Sequence, residues 1–454
     1  MRRDPLAGNT GEDKDLANLS TKRQWIAELA RRKPGEVLFS LHHVIDLEWM
    51  QEAYALTRKD GASGIDGVTA DQYEANLEAN LLGLLERIKS GSYKAPPVRR
   101  SYIPKADGTQ RPLGIPTFED KVAQRAIAMV LETVFEQDFR SCSYGFRPER
   151  SAHQALRELY SAITWRGQYW VLDVDIQKYF DSIPHGELRA ILDQRVTDGI
   201  IRRMIDKWLK AGVLENGLLR RATEGTPQGG VISPMLSNIF LHHVLDEWFE
   251  DVVKPRMMGS CTLVRFADDF VMTFANHHDA VRVLEVLGKR LGRYGLTLHP
   301  SKTRFIDFRP ERTGGTHPDC KAPPFDFLGF THVWAKSQKG TKVVRQRTAK
   351  SRLARSLAAI TDWCRTNRHL PIPAQRDRLG AKLAGHYAYY GITGNILQLT
   401  RYYHQVVRAW RKWLERRSRS KELPWESFRP ILARHPLPLP RIVHRYAAVS
   451  EPLS

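Results

Sequence analysis

The spacing of apolar residues along the chain predicts a mixture of helices and short strands. Before residue 300, some segments repeat apolar residues at helical spacing, while others are short runs rich in β-branched and aromatic residues. The predicted helices lie within residues 22–58, 71–89, 119–139 and 280–294, and the predicted strands are Trp170–Val174, Thr262–Phe266 and Phe270–Phe274. A hairpin with an Asp-Gly turn is predicted at residues 98–116, and a Gly-rich loop at residues 59–70. This order indicates an α+β fold in which helices back a small antiparallel sheet.

The pattern changes after a stretch rich in Pro, Gly and Thr, Arg309–Pro324, which we interpret as a domain boundary. Beyond it, helices are predicted at Thr348–Arg368, Pro373–Gly391 and Leu397–Ser418. Their apolar stripes predict a bundle core that includes Leu353, Leu357, Ile360, Trp363, Tyr402, Val406, Trp410 and Trp413. The opposite face of the last helix carries Arg401, Arg408, Arg411, Lys412, Arg416 and Arg417. Pro430–Ile442 is too rich in proline for a helix and is predicted to be extended.

The chain has 454 residues and a net charge of +20, and the excess is concentrated at one end. Residues 331–454 contain 25 Lys and Arg but only 6 Asp and Glu. Charge of this size on a short region predicts a surface that binds a polyanion such as nucleic acid. A solvated basic face is the plainer alternative. An anionic membrane is a weaker one, because the basic helices also carry apolar residues at core spacing.

Composition restricts the class of protein further. A content of 42% hydrophobic and 26% charged residues is typical of a soluble globular chain. No apolar run approaches the ~18 residues that would predict a membrane span, and the polar first 20 residues, predicted to be disordered, do not resemble a secretory signal. The cysteines, Cys142, Cys261, Cys320 and Cys364, are too far apart to predict a zinc site or a disulfide framework. Together these features predict a cytoplasmic protein.

Two segments combine apolar runs with acidic residues. VLDVDIQKYFDSI places Asp173 and Asp175 on the same side, because side chains alternate along a strand, and RFADDF places Asp268 and Asp269 between two strands. A solvated surface turn would explain an acidic pair equally well. However, buried acids are costly without counterions, and phosphoryl transfer uses carboxylates that hold two divalent cations about 3.5–4 Å apart. We therefore predict that Asp175, Asp268 and Asp269 hold two Mg²⁺ ions.

Seven sequence blocks resemble, in the same order, those of group II intron reverse transcriptases. They are YIPKADGTQRPLGIPT (Tyr102–Thr117), SYGFRPERSAHQAL (Ser143–Leu156), DI…FD in residues 175–181, EGTPQGGVISPMLSNI (Glu224–Ile239), RFADD, GLTLHPSKT (Gly295–Thr303) and FDFLGF (Phe325–Phe330). The resemblance extends over roughly residues 55–330, and the helical region after residue 340 resembles the thumb, or maturase (X), domain of that family. The resemblance implies a right-hand polymerase, in which fingers and palm are followed by an all-α basic thumb.

The resemblance also implies roles for particular residues. Asp175, Asp268 and Asp269 match the family's metal-binding triad, and the backbone carbonyl of Ile176 would be a further ligand. The matches to nucleotide-binding positions are Lys105 and Arg111 on the fingers, Phe180 beneath the incoming sugar, Gln228 in the TPQGG turn, and Lys302. Fixed cations suit a triphosphate, and an aromatic side chain beneath the sugar would clash with a 2′-hydroxyl and so favour dNTPs over rNTPs. A core phenylalanine is the alternative reading of Phe180.

The chain departs from the family pattern in two ways. Phe266 stands where the family often has tyrosine, which leaves the carboxylates intact but bears on primer contact or fidelity. In addition, many members end in an HNH endonuclease domain with paired cysteines and histidines, which this sequence does not show. The form therefore resembles the compact, endonuclease-lacking members of bacterial class C introns. The expected domains are an N-terminal extension (1–58), fingers and palm (59–324), a thumb (325–420) and a short DNA-binding segment (421–454).

By resemblance, the protein would bind the RNA of a group II intron to assist its splicing. It would also copy that RNA into DNA during retrohoming, using Mg²⁺, dNTPs and a DNA primer or target. Three alternatives stay open. A CRISPR-associated, retron or other domesticated reverse transcriptase would share the palm. A splicing factor that has lost polymerase activity is a second alternative, although the intact aspartate triad counts against it. A primase or RNA polymerase with a similar palm is the third.

Overall fold

The computed structural model describes residues 18–104, 108, 110–215, 218–220, 225, 229–310, 322–337, 340–417 and 422–446. Several sequence predictions fall outside these residues: most of the first 20 residues, Lys105, Gln228, and most of the boundary stretch at 309–324. In the described part of the chain, no helix is long and apolar enough to cross a membrane.

The described strands, in chain order, are β1 (Val98–Pro104), β2 (Gln110–Ile115), β3 (Trp170–Val174), β4 (Val213–Glu215), β5 (Leu218–Arg220), β6 (Cys261–Phe266), β7 (Asp269–Phe274), β8 (Arg304–Asp307), β9 (Phe325–Phe327), β10 (Phe330–Lys336) and β11 (Lys342–Thr348). The described α-helices are α1 (Leu19–Arg32), α2 (Leu47–Ala55), α3 (Ala70–Glu74), α4 (Leu77–Ser90), α5 (Phe118–Phe135), α6 (Ala152–Thr164), α7 (Tyr179–Ser182), α8 (His185–Asp193), α9 (Gly199–Lys210), α10 (Ser233–Leu241), α11 (His277–Gly292), α12 (Lys350–Thr366), α13 (Ile372–Tyr390), α14 (Ile396–Glu415) and α15 (Trp425–Arg434). Segments His42–Val44 and Lys254–Arg256 are 3₁₀-helical, and His242–Asp246 and Trp248–Val253 are π-helical.

The N-terminal helices pack around α5, most of whose residues are buried. The side chain of Thr117 caps this helix by accepting a hydrogen bond from the backbone N–H of Asp120. The single helix predicted at residues 71–89 is instead two helices, α3 and α4. On α4, Leu82 is 46% exposed while Leu84 is buried, so the apolar face of this helix does not include Leu82.

The predicted hairpin at residues 98–116 is confirmed as β1 and β2, which pair antiparallel. The structure adds two three-residue strands that the sequence did not predict: β4 pairs parallel with β1, and β5 pairs antiparallel with β4. Strands this short give no detectable alternation of apolar and polar residues, since one period occupies most of their length.

A four-stranded antiparallel sheet, in the order β6-β7-β3-β8, carries the predicted acidic segments. Alternate residues point to opposite faces, so Leu172 and Met272 join the core beneath the N-terminal helices, α10 and α11. Val171 and Val271 point to the other side, where they pack with α6. The predicted α+β arrangement of helices behind a small antiparallel sheet is confirmed.

The expectation of an all-α thumb at residues 325–420 is wrong for the first part of that range. Strands β9, β10 and β11 form a three-stranded antiparallel sheet before α12 begins. Phe325, Phe327 and Phe330 are buried in the same core as α6 and extend it toward the C-terminal helices. Burial alternates along β11, with Val344 and Gln346 buried, but the two valines of this strand are adjacent in sequence, so apolar spacing did not reveal the sheet.

The C-terminal helices α12, α13 and α14 lie close to the predicted ranges, and Trp410 is fully buried among them. The predicted extended segment at residues 430–442 is wrong at its start, because α15 continues through Pro430 to Arg434. This short helix is anchored by buried Phe428, whose ring meets Trp410 edge to face at 5.7 Å. Residues 436–443 have no regular secondary structure, and His444 forms an isolated β-bridge with Ile392. Residues 422–446 therefore pack on the C-terminal helices.

Candidate active site

The three predicted metal-binding aspartates meet at one end of the four-stranded sheet. In the β6–β7 hairpin, Phe266 pairs with Asp269, which leaves Ala267 and Asp268 as a two-residue turn. Strand β3 ends at Val174, which pairs with Phe270, and so the next residue, Asp175, continues beside Asp269. Short strands with a tight turn thus bring together acids that are separated by more than 90 positions in the sequence.

The electrostatics of this sheet end favour a positive partner. Desolvation and, after it, the carboxylates of Asp173, Asp268 and Asp175 together raise the pKa of Asp269 to about 7, although part of the side chain is open to solvent. Burial also raises the pKa of Asp268, against the opposing positive charge of Arg111. Burial and neighbouring negative charges disfavour the deprotonated form of these acids, and bound cations would stabilise it.

The backbone around Asp175 is fixed by the segment that precedes β8. The N–H of His299 donates to the Asp175 carbonyl at 2.8 Å, and the N–H of Gln177 donates to the Thr297 carbonyl at 2.8 Å. Ile176, between them, is buried. The predicted phosphate contact Lys302 lies here too, because its Nζ is 3.2 Å from Asp175 Oδ2. Lys302 therefore neutralises one of the acids in the described structure.

Phe180 lies on α7, directly after the strand that leads to Asp175. Its neighbour Tyr179 is buried, and the Tyr179 hydroxyl donates to the Ser237 carbonyl at 3.0 Å, which fixes the turn. Phe180 itself is half-buried. A Cβ added to Gly225 would lie 3.0 Å from the Phe180 carbonyl oxygen, which shows how closely that loop approaches α7.

Gly229 lies close to strand β2. Gly229 has φ of 108°, and a Cβ there would lie 2.6 Å from the carbonyl oxygen of Gly114 on β2. Glycine at position 229 permits this close approach of the two backbones. Arg111 is exposed on the same strand, near enough to Asp268 for its charge to lower the pKa of that acid. The other two nucleotide-binding candidates, Lys105 and Gln228, are outside the described residues.

The donor chemistry fits Mg²⁺. This ion prefers a few carboxylates and keeps several sites for water and substrate phosphates, and the aspartates stand at an open sheet end. Among the described residues, no group of three or more His, Cys, Asp or Glu side chains is arranged to hold a metal ion in this structure. The remaining acid on β3, Asp173, accepts a 2.5 Å hydrogen bond from Arg304 Nη2.

The basic residues predicted to bind RNA do not all behave alike. Arg401, Arg408, Lys412, Arg416 and Arg417 are exposed along α14 and just beyond its end. Arg411 is half-buried instead. It donates to the Leu423 carbonyl and lies over the ring of Trp425, 4.9 Å from its centroid. These contacts commit Arg411 to holding the segment before α15.

The sequence reasoning missed a set of buried polar residues behind the acidic turn: Gly145, Asn238, Asp246 and Arg265. All of Arg265 and Asp246 is enclosed, and the two form an ion pair at 2.5 Å. The available signal was an arginine in the middle of the apolar run of β6, since a buried arginine is rare unless it is paired.

Comparisons with known proteins agree with this geometry. The family model described as reverse transcriptase (RNA-dependent DNA polymerase) matches residues 103–332. Protein YkfC of Escherichia coli (strain K12) is 35% identical over 347 residues, which are 69% of this chain and 87% of YkfC. Group II intron-encoded protein LtrA of Lactococcus lactis subsp. cremoris is 38% identical over 193 residues, 42% of this chain. That match spans about a third (32%) of LtrA.

A solved structure of telomerase from Candida albicans, in complex with a fragment of telomeric RNA, gives a TM-score of 0.41 at 14% identity. The alignment covers 80% of this chain and 65% of the telomerase chain, and its TM-score is too low to support a family assignment. The match to the family model and the identity with YkfC are sufficient to assign the family. The chain belongs to the reverse transcriptase family and is an RNA-directed DNA polymerase, related to the reverse transcriptases of group II introns. Its substrates are accordingly an RNA template, a DNA strand and dNTPs.

Proposed function

We propose that polymerisation takes place at the end of the four-stranded sheet, with two Mg²⁺ ions held by Asp175, Asp268 and Asp269 and by the backbone carbonyl of Ile176. The observation that carries this proposal is the meeting of the three aspartates in an acid-rich recess, where the pKa of Asp269 is raised to about 7. Two such ions supply activation of the primer 3′-hydroxyl and charge stabilisation of the pyrophosphate leaving group.

The surrounding residues would bind and orient the nucleotide. Arg111, on the finger strand beside Asp268, would hold the triphosphate together with Lys105, and Gln228 would contact nucleotide and template. Phe180 would lie beneath the sugar and exclude a 2′-hydroxyl. Lys302 would leave Asp175 when the metals bind and would then be free to contact phosphate, since its side chain is 63% exposed.

We further propose that the chain serves a group II intron, as the name of LtrA states for that relative. The exposed basic residues of α14 would bind the intron RNA during splicing and retrohoming, and phosphate contacts would dominate that affinity. Arg411 would support this surface through its contacts inside the chain. The division into an N-terminal extension (1–58), fingers and palm (59–324), thumb (325–420) and DNA-binding segment (421–454) belongs to the same proposal.

The placement among class C-like members without an HNH endonuclease is also part of the proposal. Such a member should not nick a double-stranded DNA target, whereas an endonuclease-bearing member should. A nicking assay on supercoiled DNA carrying the insertion site, with Mg²⁺, tests this point. Strand cleavage that persists in the purified protein would contradict the placement.

The splicing role is tested with the intron RNA that flanks the coding sequence. We expect the wild-type protein to accelerate splicing of that RNA at physiological salt, and the Asp268→Ala plus Asp269→Ala variant to retain this acceleration while losing primer extension. A variant that keeps both splicing acceleration and primer extension would contradict the proposed metal site. No effect on splicing, with polymerisation intact, would favour a CRISPR-associated or other domesticated reverse transcriptase. Incorporation of rNTPs in preference to dNTPs would favour a primase or RNA polymerase.

A further inference from the structure

A fully buried arginine lies behind the turn that carries Asp268. The Nε and Nη2 of Arg265 donate to the two carboxylate oxygens of Asp246 at 2.7 and 2.5 Å. Its Nη1 donates to Asn238 Oδ1 and to the carbonyl of Ala267, both at 3.0 Å. One side chain therefore connects the helices under the sheet to the backbone of the turn.

The same turn is held from a second direction. The Asn238 side chain is fully buried, and its Nδ2 donates to the Gly145 carbonyl at 2.7 Å. The N–H of Tyr144 donates to the Arg265 carbonyl at 2.9 Å. A Cβ added to Gly145 would lie 2.9 Å from the carbonyl carbon of Phe266. The turn is thus enclosed between the segment at Gly145 and the side chains of Asn238 and Arg265.

Asp246 reaches Arg265 from an unusual helical geometry. Helix α10 passes at Leu241 into the π-helical segment His242–Asp246. π-Helical turns are rare and occur frequently at functional sites. Their wider turn rotates the chain less per residue than an α-helix does, so Asp246 falls closer to the face that carries Asn238. This change of helix type brings both side chains to the same guanidinium.

The turn itself adopts a conformation that needs support. Ala267 has φ of 57°, in the left-handed region, which is unfavourable for a residue with a side chain. Such conformations persist where the surrounding structure determines them. The hydrogen bond from Arg265 to the Ala267 carbonyl provides such a constraint directly before Asp268.

We infer that Arg265, Asp246 and Asn238 are positioning residues for the reaction, because together they set the position of the Ala267 turn and hence of the Asp268 and Asp269 carboxylates. The inference rests on the proposed metal-binding role of these two aspartates. A buried ion pair stabilises a fold little more than apolar residues of similar size would. The distinctive contribution of this pair is therefore geometric, and geometry can be separated from stability by experiment.

The separating variant replaces both charged partners at once, as Arg265→Met plus Asp246→Leu. Neither charge is then left buried without its partner, so we expect thermal stability close to that of the wild type. The donor to the Ala267 carbonyl is lost, however. We expect kcat for nucleotide incorporation to fall at least tenfold and the half-saturating Mg²⁺ concentration to rise at least threefold. Mn²⁺ binding to the protein–primer–template complex, followed by electron paramagnetic resonance, should weaken by a similar factor.

The chain offers a matched control in Arg195, another buried arginine that pairs with a carboxylate, that of Asp138, at 2.7 Å. It also donates to backbone carbonyls, including that of Ala30 at 2.8 Å. Arg195→Met plus Asp138→Leu removes a comparable pair from the contact between α1 and the segment after α5. We expect its metal dependence to equal that of the wild type. Wild-type kcat and Mn²⁺ affinity in a stable Arg265→Met plus Asp246→Leu variant would overturn the inference.

A second variant covers the case in which the double replacement does not fold. Arg265→Lys keeps the charge beside Asp246 but lacks the fork that reaches the Ala267 carbonyl. We expect it to fold with a lowered kcat and weakened Mn²⁺ binding, and wild-type values for both would refute the positioning role. Asp268→Asn, measured in parallel, separates a failure of the proposed metal site from a failure of the positioning role. If Asp268→Asn is fully active, the proposed metal site fails, whatever the Arg265 variants show.

Discussion

Replacing Gly145 with alanine tests how tightly the acidic turn is enclosed. A Cβ at this position would lie 2.9 Å from the Phe266 carbonyl carbon and closer still to the amide nitrogen of Ala267. Favourable contact requires about 3.5 Å, so the turn must move by roughly 0.6 Å or more. Overpacking of this kind costs about 1–3 kcal/mol, and a displacement approaching 1 Å at reacting groups can cost about a hundredfold in rate.

We expect Gly145→Ala to unfold at lower denaturant concentration and to lose more activity than its stability loss explains. The assay is single-nucleotide extension of a primed RNA template at a temperature where the variant remains folded. Gly83→Ala is the matched control, because a Cβ at that helical position meets nothing within 4 Å. It should gain about 0.5–1 kcal/mol of stability and keep wild-type activity. A Gly145→Ala variant with wild-type rate and stability would refute the reasoning.

Other perturbations test separate parts of the structure. Lys302→Gln removes the cation paired with Asp175 at 3.2 Å, so the half-saturating Mg²⁺ concentration should fall, by up to about fivefold for an exposed pair; an unchanged titration would contradict the pairing. Burial raises the pKa of Asp120 to about 6, and the folded state therefore binds its proton more tightly than the unfolded state. The contribution of Asp120 to the free energy of unfolding should consequently fall by on the order of 2 kcal/mol as pH rises from about 4 to 6, so in urea unfolding the stability of the wild type relative to Asp120→Asn should decrease by that amount over this range. Trp410→Ala empties a fully buried site and removes the 3.0 Å bond to Gln375, which should cost about 3–5 kcal/mol in chemical denaturation; a smaller loss than about 1 kcal/mol would contradict the described core.

Much of the sheet could be predicted because its strands alternate regularly. Trp170–Val174 matches the predicted strand at both ends, and Asp269–Phe274 differs from its prediction by one residue. Alternation sets which residues face the core, and the acids stand where the apolar runs stop. The convergence of Asp175 with Asp268 and Asp269 needed one more step, the pairing of β3 with β7, which local pattern does not contain.

The features that escaped prediction depend on long-range contacts. β4 pairs with β1 across more than 100 positions of sequence, and the π-helical segment at His242–Asp246 has no local signature that separates it from an α-helix. The charge on Arg265 is tolerated in the core because Asp246 meets it there, and neither residue indicates the other in sequence. The proline content of residues 430–442 predicts that no helix extends past Pro430. In the structure α15 continues to Arg434, and the buried side chain of Phe428 holds this helix in place.

The most direct test of the proposed site is single-nucleotide dNTP incorporation on a primed RNA template with Mg²⁺, comparing the wild type with Asp175→Asn, Asp268→Asn and Asp269→Asn. Asp181→Asn is the control, since this acid is exposed on α7 and was not predicted to bind metal. Each of the three sheet-end variants should lose several kcal/mol of transition-state stabilisation, which is more than about a hundredfold in rate, while the control keeps the wild-type rate. Near-wild-type incorporation by folded Asp268→Asn or Asp269→Asn would contradict the assignment of catalysis to this end of the sheet.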